Sequence, residues 1–487
     1  MRHLSTLLFF LLVCTCVCAQ RVVSVTEQDT QTAGTLGFVV PGATYDVVNY
    51  KMVYATVDAQ GRPDTASGLI TLPTNRDLRY PIGVYMHGTV SNREAVPSRP
   101  VSAAQLLTSE RILTAALATN GYIVVAPDYI GLGDSEGFHP YVHAASEASA
   151  GRDLILAAKE WMDGQDIAYN DQLFITGYSQ GGHAAQALHQ DIQENPGSDS
   201  LVVTAGAHLS GPYSISDVMR RASLADTTAT LPGYIVYTYI SYDTVYDLYD
   251  DLGEVFQPAY LDLIQDFSSQ ITDLDSFNRA LDDRLMERDE LIRDIFQDSI
   301  RQQLEDNDTS SQIIQALRRN DTYRFAPEAP TLLYYCTRDE QVPFENALLA
   351  DSVMTDLGST TVETMSGGPR LHGACLIPAV QATLGFFDQY AVATPVTPTS
   401  VGGPVRIPGL LVSPNPVLAG GALRLTGLPT GTAYIYSIID LNGRMVQRGR
   451  VNSDQYISVA DDLATGLHLL RLTGADGNFA VRKLLVR

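Results

Sequence analysis

The sequence predicts an α/β fold with a doubly wound, mostly parallel sheet, followed by a smaller all-β domain. In residues 45–390, short apolar segments alternate with longer segments whose apolar residues recur at helical spacing. Strands that alternate with helices in this way form a mostly parallel sheet covered on both faces. Residues 391–408 are rich in proline, threonine and glycine, which is typical of a linker. Short alternating strands in residues 409–487 predict a separate small β-sandwich.

The elements of this α/β region are predicted in regular order. We expect strands at residues 47–56, 67–72, 82–86, 122–126, 173–176, 202–208, 331–336 and 360–364. We expect helices at residues 104–119, 144–162, 182–192, 344–357 and 376–390. In the C-terminal domain, the dipeptides Asn442-Gly443 and Asp476-Gly477 predict hairpin turns.

An inserted segment at about residues 212–327 interrupts the alternation. Its apolar residues recur every three or four positions, as in Leu274, Phe277 and Leu281, which is helical spacing. Residues 217–328 contain 23 acidic and 10 basic residues, most of which we expect on a solvated face. An insertion between two sheet strands predicts a helical cap over the strand ends. Six of its tyrosines could belong to a core or to a binding surface: Tyr234, Tyr237, Tyr239, Tyr242, Tyr246 and Tyr249.

Residues 1–19 have the pattern of an export signal peptide. A short basic start precedes an apolar stretch, and Val17 and Ala19 stand three and one residues before the expected cleavage site at Gln20. A lipoprotein would be acylated at Cys18, but Val17 is a poor residue to precede it. No other stretch approaches the roughly 18 apolar residues that span a bilayer. We therefore expect a secreted or cell-surface protein.

The charge of the chain excludes some partners. It has 55 acidic and 32 basic residues, a net charge of −23. This charge argues against nucleic acid or an anionic membrane surface as the main partner. A hydrophobic content of 45% indicates a globular protein with a sizeable core.

Ser179 is the candidate nucleophile. It lies in the sequence QLFITGYSQGG at residues 172–182, which reads as an apolar strand, a turn and the start of a helix. A serine in the pattern G-x-S-x-G between a strand and a helix stands on a sharp turn, clear of the sheet edge. A glycine-rich loop without catalytic function is the alternative.

A general base and an acid that orients it are predicted downstream of the serine. In doubly wound hydrolases the chain order is serine, acid, histidine. Asp339 follows the strand at residues 331–336, and His372 lies in a loop before the next helix. Glu340 is the rival acid, and Asp339 is preferred because it lies nearer the strand end. Four other histidines lie upstream of the acid and are expected at the surface or in the core: His139, His143, His183 and His189.

Two cysteines flank these candidates. Cys336 lies three residues before Asp339, and Cys375 lies three residues after His372. In an oxidising compartment they are a candidate disulfide that ties the acid loop to the base loop. Two buried thiols are the alternative.

Two backbone N–H groups are predicted to bind the oxyanion. The first belongs to Gln180, directly after the nucleophile, at the N-terminus of a helix. The second is expected in His87-Gly88-Thr89, after the strand at residues 82–86, with the N–H of Thr89 preferred.

Together, three sequences resemble a known family. HGT at residues 87–89, APDYIGLGDSEGFHPY at 126–141 and GYSQGGHA at 177–184 are similar to secreted α/β-hydrolase lipases and esterases of the secretory-lipase type. The resemblance covers residues 45–390. It implies a helical cap, a triad of Ser179, Asp339 and His372, and activity on carboxylic esters. The acyl-enzyme mechanism of such a triad needs no metal or organic cofactor. The resemblance also implies that residues 128–133 form a wall of the site.

The C-terminal domain resembles the sorting domain of the bacterial type IX secretion system. The similar pieces are SPNP at residues 413–416, the strand at 438–441, GLHLLRL at 466–472 and the ending VRKLLVR. The resemblance implies passage across the outer membrane through that machinery. A carbohydrate- or surface-binding module is the alternative.

Three functions are compatible with the sequence. The first is a carboxylic-ester hydrolase acting on a small-molecule ester or lipid through an acyl-enzyme. The second is a serine peptidase of aminopeptidase type on the same fold. Cap carboxylates that converge on Ser179 would favour the peptidase, and an apolar groove would favour the esterase. The third is an adhesion protein with an inert hydrolase fold, against which the complete Ser-Asp-His set argues.

Overall fold

The computed structural model shows two compact units that divide between Pro395 and Val396. The predicted signal peptide, most of the predicted linker and both predicted hairpin dipeptides lie outside the residues that the structure describes. The described residues are 21–38, 40, 42–102, 105–106, 109–197, 199–225, 231–396, 410–428, 433–440, 444–452, 456–474 and 479–487.

The first unit is built on one mixed, mostly parallel sheet. Its strands are β1 (Val22–Gln31), β2 (Val47–Val57), β3 (Pro63–Pro73), β4 (Leu78–Met86), β5 (Ile123–Pro127), β6 (Tyr169–Tyr178), β7 (Val203–Leu209), β8 (Thr331–Tyr335), β9 (Val362–Ser366) and β10 (Thr394–Pro395). The strand order is β1-β2-β3-β5-β4-β6-β7-β8-β9, with β10 paired to β4. From β5 to β9 all neighbours are parallel, whereas β1, β2, β3 and β10 pair antiparallel. The predicted α/β fold is confirmed.

Twelve helices accompany the strands in the described part of this unit. They are α1 (Ala33–Leu36), α2 (Arg111–Thr119), α3 (Ala144–Gly164), α4 (Gln180–Glu194), α5 (Arg220–Ser223), α6 (Pro232–Tyr246), α7 (Leu261–Ser268), α8 (Leu274–Arg288), α9 (Asp298–Asp306), α10 (Gln312–Arg319), α11 (Glu345–Asp356) and α12 (His372–Phe387).

Helices cover both faces of the sheet, so its central strands are apolar on both sides. Successive residues of β6 show this, because Ile175 belongs to the same buried cluster as Leu154 of α3 and Leu188 of α4, whereas Phe174 packs against Phe387 of α12 in a second cluster. Strands buried on both faces read as continuous apolar runs, which is why β5 and β6 were recognisable in the sequence.

The segment between β7 and β8 folds as a helical cap with its own core. It contains α5 to α10, a π-helical turn at Ile215–Met219 and two short 3₁₀ turns. The residues Leu274, Phe277 and Leu281, spaced as a helix face, are all buried along α8. The regular spacing ends at Asp289, which closes α8 in a left-handed conformation with φ 54°. Apolar residues after it lie in the 3₁₀ turn Ile292–Ile295 instead of a continued helix.

The structure differs from the sequence prediction at two helix starts and at two strands, β1 and β10, the second of which lies in residues predicted to be a linker. The helix expected at residues 104–119 begins at Arg111; before it, the hydroxyl of Ser109 donates to the carbonyl of Leu106, a local side-chain bond of the kind that competes with helical hydrogen bonds. The helix expected from residue 376 already begins at His372, whose free N–H is bound by Glu340. Strand β1 was not predicted, since this half-exposed edge strand has no clear apolar alternation.

The second unit is all-β and antiparallel. Its strands are β11 (Leu411–Ser413), β12 (Ala422–Thr426), β13 (Ala433–Ile439), β14 (Met445–Asn452), β15 (Tyr456–Ser458), β16 (Gly466–Gly474) and β17 (Phe479–Val486). They form sheets of order β11-β12-β15 and β14-β13-β16-β17. Leu423 and Leu425 from one sheet and Ile438, Leu470 and Leu472 from the other share one core. Across the described parts of both units, no helix is both long and apolar enough to cross a membrane.

Candidate active site

Ser179 lies in a sharp turn between a strand and a helix near the centre of the sheet. β6 ends at Tyr178 and α4 begins at Gln180, so Ser179 alone connects them. Its φ of 62° and ψ of −124° lie outside the regions that most residues adopt. Such a conformation costs about 1–3 kcal/mol and persists only where the surroundings hold it.

Two glycines flank this turn because no side chain fits there. A Cβ at Gly177 would lie 2.1 Å from the carbonyl oxygen of Gly181. A Cβ at Gly181 would lie 2.0 Å from the carbonyl oxygen of Met86. The close approach of the backbone therefore requires both glycines of the G-x-S-x-G pattern.

The structure places Gln180 and the loop that follows β4 beside Ser179. Gln180 is the first residue of α4, where backbone N–H groups have no partner within the helix. The loop after β4 passes close by, since a Cβ at Gly88 would lie 3.9 Å from the Cβ of Ser179. The N–H of Gly88 donates to Glu110 at 3.2 Å, which leaves the next residue, Thr89, as the candidate donor of this loop.

His372 and Asp339 are in contact, as predicted. The Nδ1 atom of His372 lies 2.7 Å from Oδ2 of Asp339, and the two side chains are 7% and 1% exposed. The other carboxylate oxygen of Asp339 accepts backbone N–H groups from Gln341 at 3.1 Å and Val342 at 2.8 Å. A carboxylate fixed in this way holds the proton of His372 on Nδ1 and leaves Nε2 as an acceptor.

Glu340 contacts the same histidine at a different atom. Its Oε2 accepts the backbone N–H of His372 at 2.9 Å. The rival acid therefore binds the start of α12, and Asp339 binds the imidazole.

Tyr178 joins the base to the nucleophile turn, a role that the sequence did not reveal. Its hydroxyl donates to the carbonyl oxygen of His372 at 2.6 Å, and the two rings are 4.9 Å apart. Burial is the main reason that the pKa of Tyr178 is raised, so the phenol keeps its proton. The residue before the serine in G-x-S is the only sequence signal, and it says nothing of a contact with α12.

A disulfide links the acid loop to the base helix. Cys336 follows β8, Cys375 lies in the first turn of α12, and the two are bonded with Cα atoms 6.1 Å apart. Both are fully buried. The predicted pairing is confirmed.

A groove of about 360 Å³ opens at Ser179 between the sheet and the cap. Most of its lining is apolar or aromatic, and its charged side chains among the described residues are Arg220 and Glu340. No cap carboxylate lines it in the described part of the chain. The lining residues are Tyr141, Val142, Ser179, Gln180, Pro212, Ile215, Met219, Arg220, Ala222, Ser223, Ala225, Leu231, Tyr234, Ile235, Thr238, Tyr239, Leu317, Glu340, Gln341, Val342 and Pro343.

The cap tyrosines serve both purposes considered from the sequence. Tyr234 and Tyr239 line the groove. Tyr237 and Tyr242 are buried in the cap core. Tyr237 also stacks on Tyr141, with ring centroids 4.5 Å apart, so that the cap core supports the groove wall.

Residues 128–133 support the site without lining this groove. The carboxylate of Asp128 is buried and accepts the hydroxyl of Ser67 at 2.6 Å and the N–H of Ser98 at 2.9 Å. The hydroxyl of Tyr129 donates to the carbonyl of His87 at 3.0 Å. The expected wall is therefore a support beneath the loop that carries Thr89.

The four upstream histidines are buried, as is typical of core residues. Burial lowers the pKa of His139 to about 3 and that of His143 and His189 to about 4. None of the described histidines, cysteines and carboxylates form a cluster of three or more that could hold a metal ion.

Comparisons with known proteins agree with this architecture. Residues 108–366, more than half of the chain, match the family described as serine aminopeptidase, S33. No curated protein matches the chain.

Solved structures match over most of the first unit. The rice cell wall degrading esterase LipA from Xanthomonas oryzae is 25% identical, with a TM-score of 0.65 over 76% of this chain and 98% of that one. A Legionella pneumophila protein is 27% identical, with a TM-score of 0.68 over the same shares. Candida antarctica lipase A is 15% identical, with a TM-score of 0.58 over 76% of this chain and 82% of that one, and shows the likeness of fold alone. The chain thus belongs to the serine aminopeptidase S33 family and is a serine α/β-hydrolase.

Proposed function

We propose that this protein is a carboxylic-ester hydrolase whose triad is Ser179, His372 and Asp339. The observation that carries the proposal is the groove at Ser179, which is mostly apolar and, among the described residues, free of cap carboxylates. An apolar groove suits an acyl chain. The contact of 2.7 Å between His372 and Asp339 supports the assignment of His372 as an oriented base.

In the proposed reaction, each of these residues has a defined step. His372 Nε2 takes the proton of Ser179 as the hydroxyl oxygen attacks the ester carbonyl. The backbone N–H groups of Gln180 and Thr89 stabilise the oxyanion. Collapse of the tetrahedral adduct breaks the bond to the alcohol oxygen, which receives the proton from His372. Water, activated by the same histidine, then cleaves the acyl-enzyme and restores Ser179.

An aminopeptidase activity is the second candidate, because the family description names it. A peptidase of that type needs a carboxylate to bind the free amine of its substrate. Glu340 is the carboxylate in the described lining, and it already accepts the N–H of His372. The structural likeness to an esterase from Xanthomonas oryzae also supports the ester substrate.

The test compares p-nitrophenyl esters from C2 to C16 with aminoacyl-p-nitroanilides, using mature protein and Ser179→Ala. We expect ester cleavage that is lost in the variant, with short to medium acyl chains preferred because 360 Å³ is near the lower end of ligand-pocket volumes. Cleavage of anilides with little ester turnover would instead identify the peptidase.

We also infer export and sorting for this chain. Residues 1–19 would direct export, and residues 409–487 would be recognised by the type IX secretion machinery. The antiparallel all-β fold of the second unit supports a separate sorting module. Deletion of residues 409–487 should keep the hydrolase inside a type IX-competent host, measured by esterase activity in cells and medium. Unchanged release would contradict the sorting role.

A further inference from the structure

A network of buried polar side chains lies next to the turn that carries Ser179. At its centre is Glu147 of α3, which is fully buried. One of its carboxylate oxygens accepts the side-chain amide of Gln180 at 2.9 Å, and the other lies 2.7 Å from Nδ1 of His183. The catalytic steps proposed above use neither Glu147 nor His183.

The donors and acceptors around Gln180 can be assigned. Nδ1 of His139 lies 2.8 Å from the carbonyl of Ile130, so it carries the proton, because a carbonyl only accepts. The other nitrogen, Nε2, is therefore an acceptor, and it lies 2.8 Å from Nε2 of Gln180. Burial lowers the pKa of His139 to about 3, which keeps the ring neutral. Gln180 thus donates both amide hydrogens, one to Glu147 and one to His139.

This hydrogen-bond network extends from α4 into the cap. Nε2 of His183 donates to the carbonyl of Asn320 at 2.8 Å, at the end of α10. The side chain of Asn320 accepts the N–H of Ala144 at 2.9 Å and donates to the hydroxyl of Tyr246 at 3.1 Å. One set of hydrogen bonds therefore connects α3, α4 and the cap.

The same histidine also supports the loop of the second oxyanion donor. The ring of His139 stacks on that of Tyr129, with centroids 5.7 Å apart. Tyr129 packs against His87, with ring centroids 4.2 Å apart, and its hydroxyl donates to the His87 carbonyl. His139 therefore contacts both the side chain of Gln180, at the start of α4, and Tyr129, which supports the loop of Thr89.

We propose that Glu147 and His139 are positioning residues that hold the side chain of Gln180 and thereby direct its backbone N–H at the oxyanion. The physical need is the strained backbone of Ser179, which persists only when neighbouring groups over-determine it. An amide side chain tied from two sides supplies that restraint one residue away. The proposal rests on the serine-hydrolase function proposed above, although not on a particular substrate.

The test measures the rate at which a fluorophosphonate probe phosphonylates Ser179. The probe attaches phosphorus to the serine oxygen, releases fluoride, and places a phosphoryl oxygen where the oxyanion would lie, so the rate reports the donors without a known substrate. Glu147→Ala and Gln180→Ala should each slow labelling about tenfold or more, since loss of an oxyanion donor costs about a hundredfold. The double variant should be no slower than the slower single variant, because both substitutions remove the same hydrogen bond between Glu147 and Gln180.

Glu147→Gln distinguishes a role in holding the side chain of Gln180 from a role that depends on the negative charge of Glu147. Its amide oxygen can still accept from Gln180, and its N–H can donate to Nδ1 of His183, so labelling should stay within about threefold of the native rate. Asp153→Ala is the matched control, because this carboxylate lies on the same helix but binds Thr56 at 2.7 Å, away from the turn. It should lower stability without slowing the probe.

The outcomes that overturn the proposal are distinct from failure of the esterase assignment. The proposal would be contradicted if Gln180→Ala were labelled at the native rate, or if the reductions in labelling rate were additive in the double variant. It would also be contradicted if Glu147→Gln were labelled as slowly as Glu147→Ala. Thermal unfolding of every variant identifies losses due to misfolding, and Gln180→Ala, which removes only the tied side chain, remains informative if Glu147→Ala does not fold. A native protein that labels but cleaves no ester would refute the esterase alone. A native protein that does not label would refute both.

Discussion

Asp339 and Glu340 are neighbours in sequence, yet their carboxylates bind different atoms of His372. Asp339 binds the imidazole, and Glu340 binds the backbone N–H. The sequence favoured Asp339 as the acid that orients His372 only because it lies nearer the strand end, since either carboxylate could reach a histidine. The difference in role depends on where α12 begins.

This difference predicts unequal effects of two isosteric substitutions. Asp339→Asn should lower kcat by about 10⁴, because the amide would hold His372 in the wrong tautomer. Glu340→Gln keeps an oxygen that can accept the N–H, and kcat should fall only a few-fold. Steady-state kinetics on a p-nitrophenyl ester checks both, and the reverse order would make Glu340 the orienting acid.

Arg220 predicts a preference among acyl groups. It lines the groove, is 7% exposed, and donates to the carbonyls of Ser216 and Leu304, with Asp217 at 3.7 Å. A guanidinium has five N–H donors, so donors remain for a substrate. For p-nitrophenyl hydrogen glutarate relative to the butyrate, Arg220→Met should lower the kcat/KM ratio about tenfold, as expected for a hydrogen bond to a charged group.

Arg221→Met is the matched control, because this side chain is 60% exposed and outside the groove lining. An equal fall in both variants would mean that the overall charge of the cap, and not the groove cation, sets the preference.

At the scale of elements, α4 and β7 are packed through two buried histidines. Nδ1 of His189 lies 3.2 Å from Nε2 of His208, and both rings are fully buried. Burial lowers the pKa of His189 from 6.5 to about 4 and that of His208 well below 6.5. The folded state thus keeps both rings neutral, whereas the unfolded chain takes up protons below about pH 6.5.

The sign of this pKa shift predicts acid destabilisation. The contribution of the neutral histidines to the free energy of unfolding is fully present above pH 6.5 and is lost as the pH falls toward 4. For His189 this loss is about 3 kcal/mol. His189→Gln should reduce the difference in urea midpoint between pH 7.5 and pH 4.5. An unchanged difference would assign the acid sensitivity to other groups.

The disulfide joins two elements that carry different members of the candidate triad. It closes a loop with a sequence separation of 39, for which the chain-entropy model gives about 3–4 kcal/mol. Cys336→Ser/Cys375→Ser should lose about that much free energy of unfolding. We also expect a lower kcat at a temperature where the variant is still folded, because the Asp339 loop and the start of α12 are then joined by hydrogen bonds alone. A normal kcat would limit the bridge to stability.

For the whole molecule, each of the two units has a hydrophobic core of its own. Residues 20–395 expressed alone should therefore fold and retain the kcat of the full chain. Circular dichroism and ester hydrolysis check this expectation. An inactive or unfolded fragment would show that the second unit is needed for folding of the first.

Features with a local cause could be predicted from the sequence, and features that depend on distant contacts could not. The strands buried on both faces and the serine turn have local patterns, and Asp339 and His372 were chosen by their places after a strand and before a helix in the chain order of doubly wound hydrolases. The contact of Tyr178 with His372 crosses 194 positions of the chain, and the bond from His183 to Asn320 crosses 137. No periodicity reports such pairs, since they arise only when the cap and α12 close on the sheet.

The two glycines beside Ser179 have a consequence for how mutational scans of this protein should be interpreted. Gly177 and Gly181 tolerate no Cβ, because each would meet a carbonyl oxygen at about 2 Å. In a scan scored by activity, every substitution at these positions would rank beside Ser179, although neither glycine carries a reactive group. Only a parallel score for abundance of folded protein would distinguish a lost reactive atom from a turn that can no longer form.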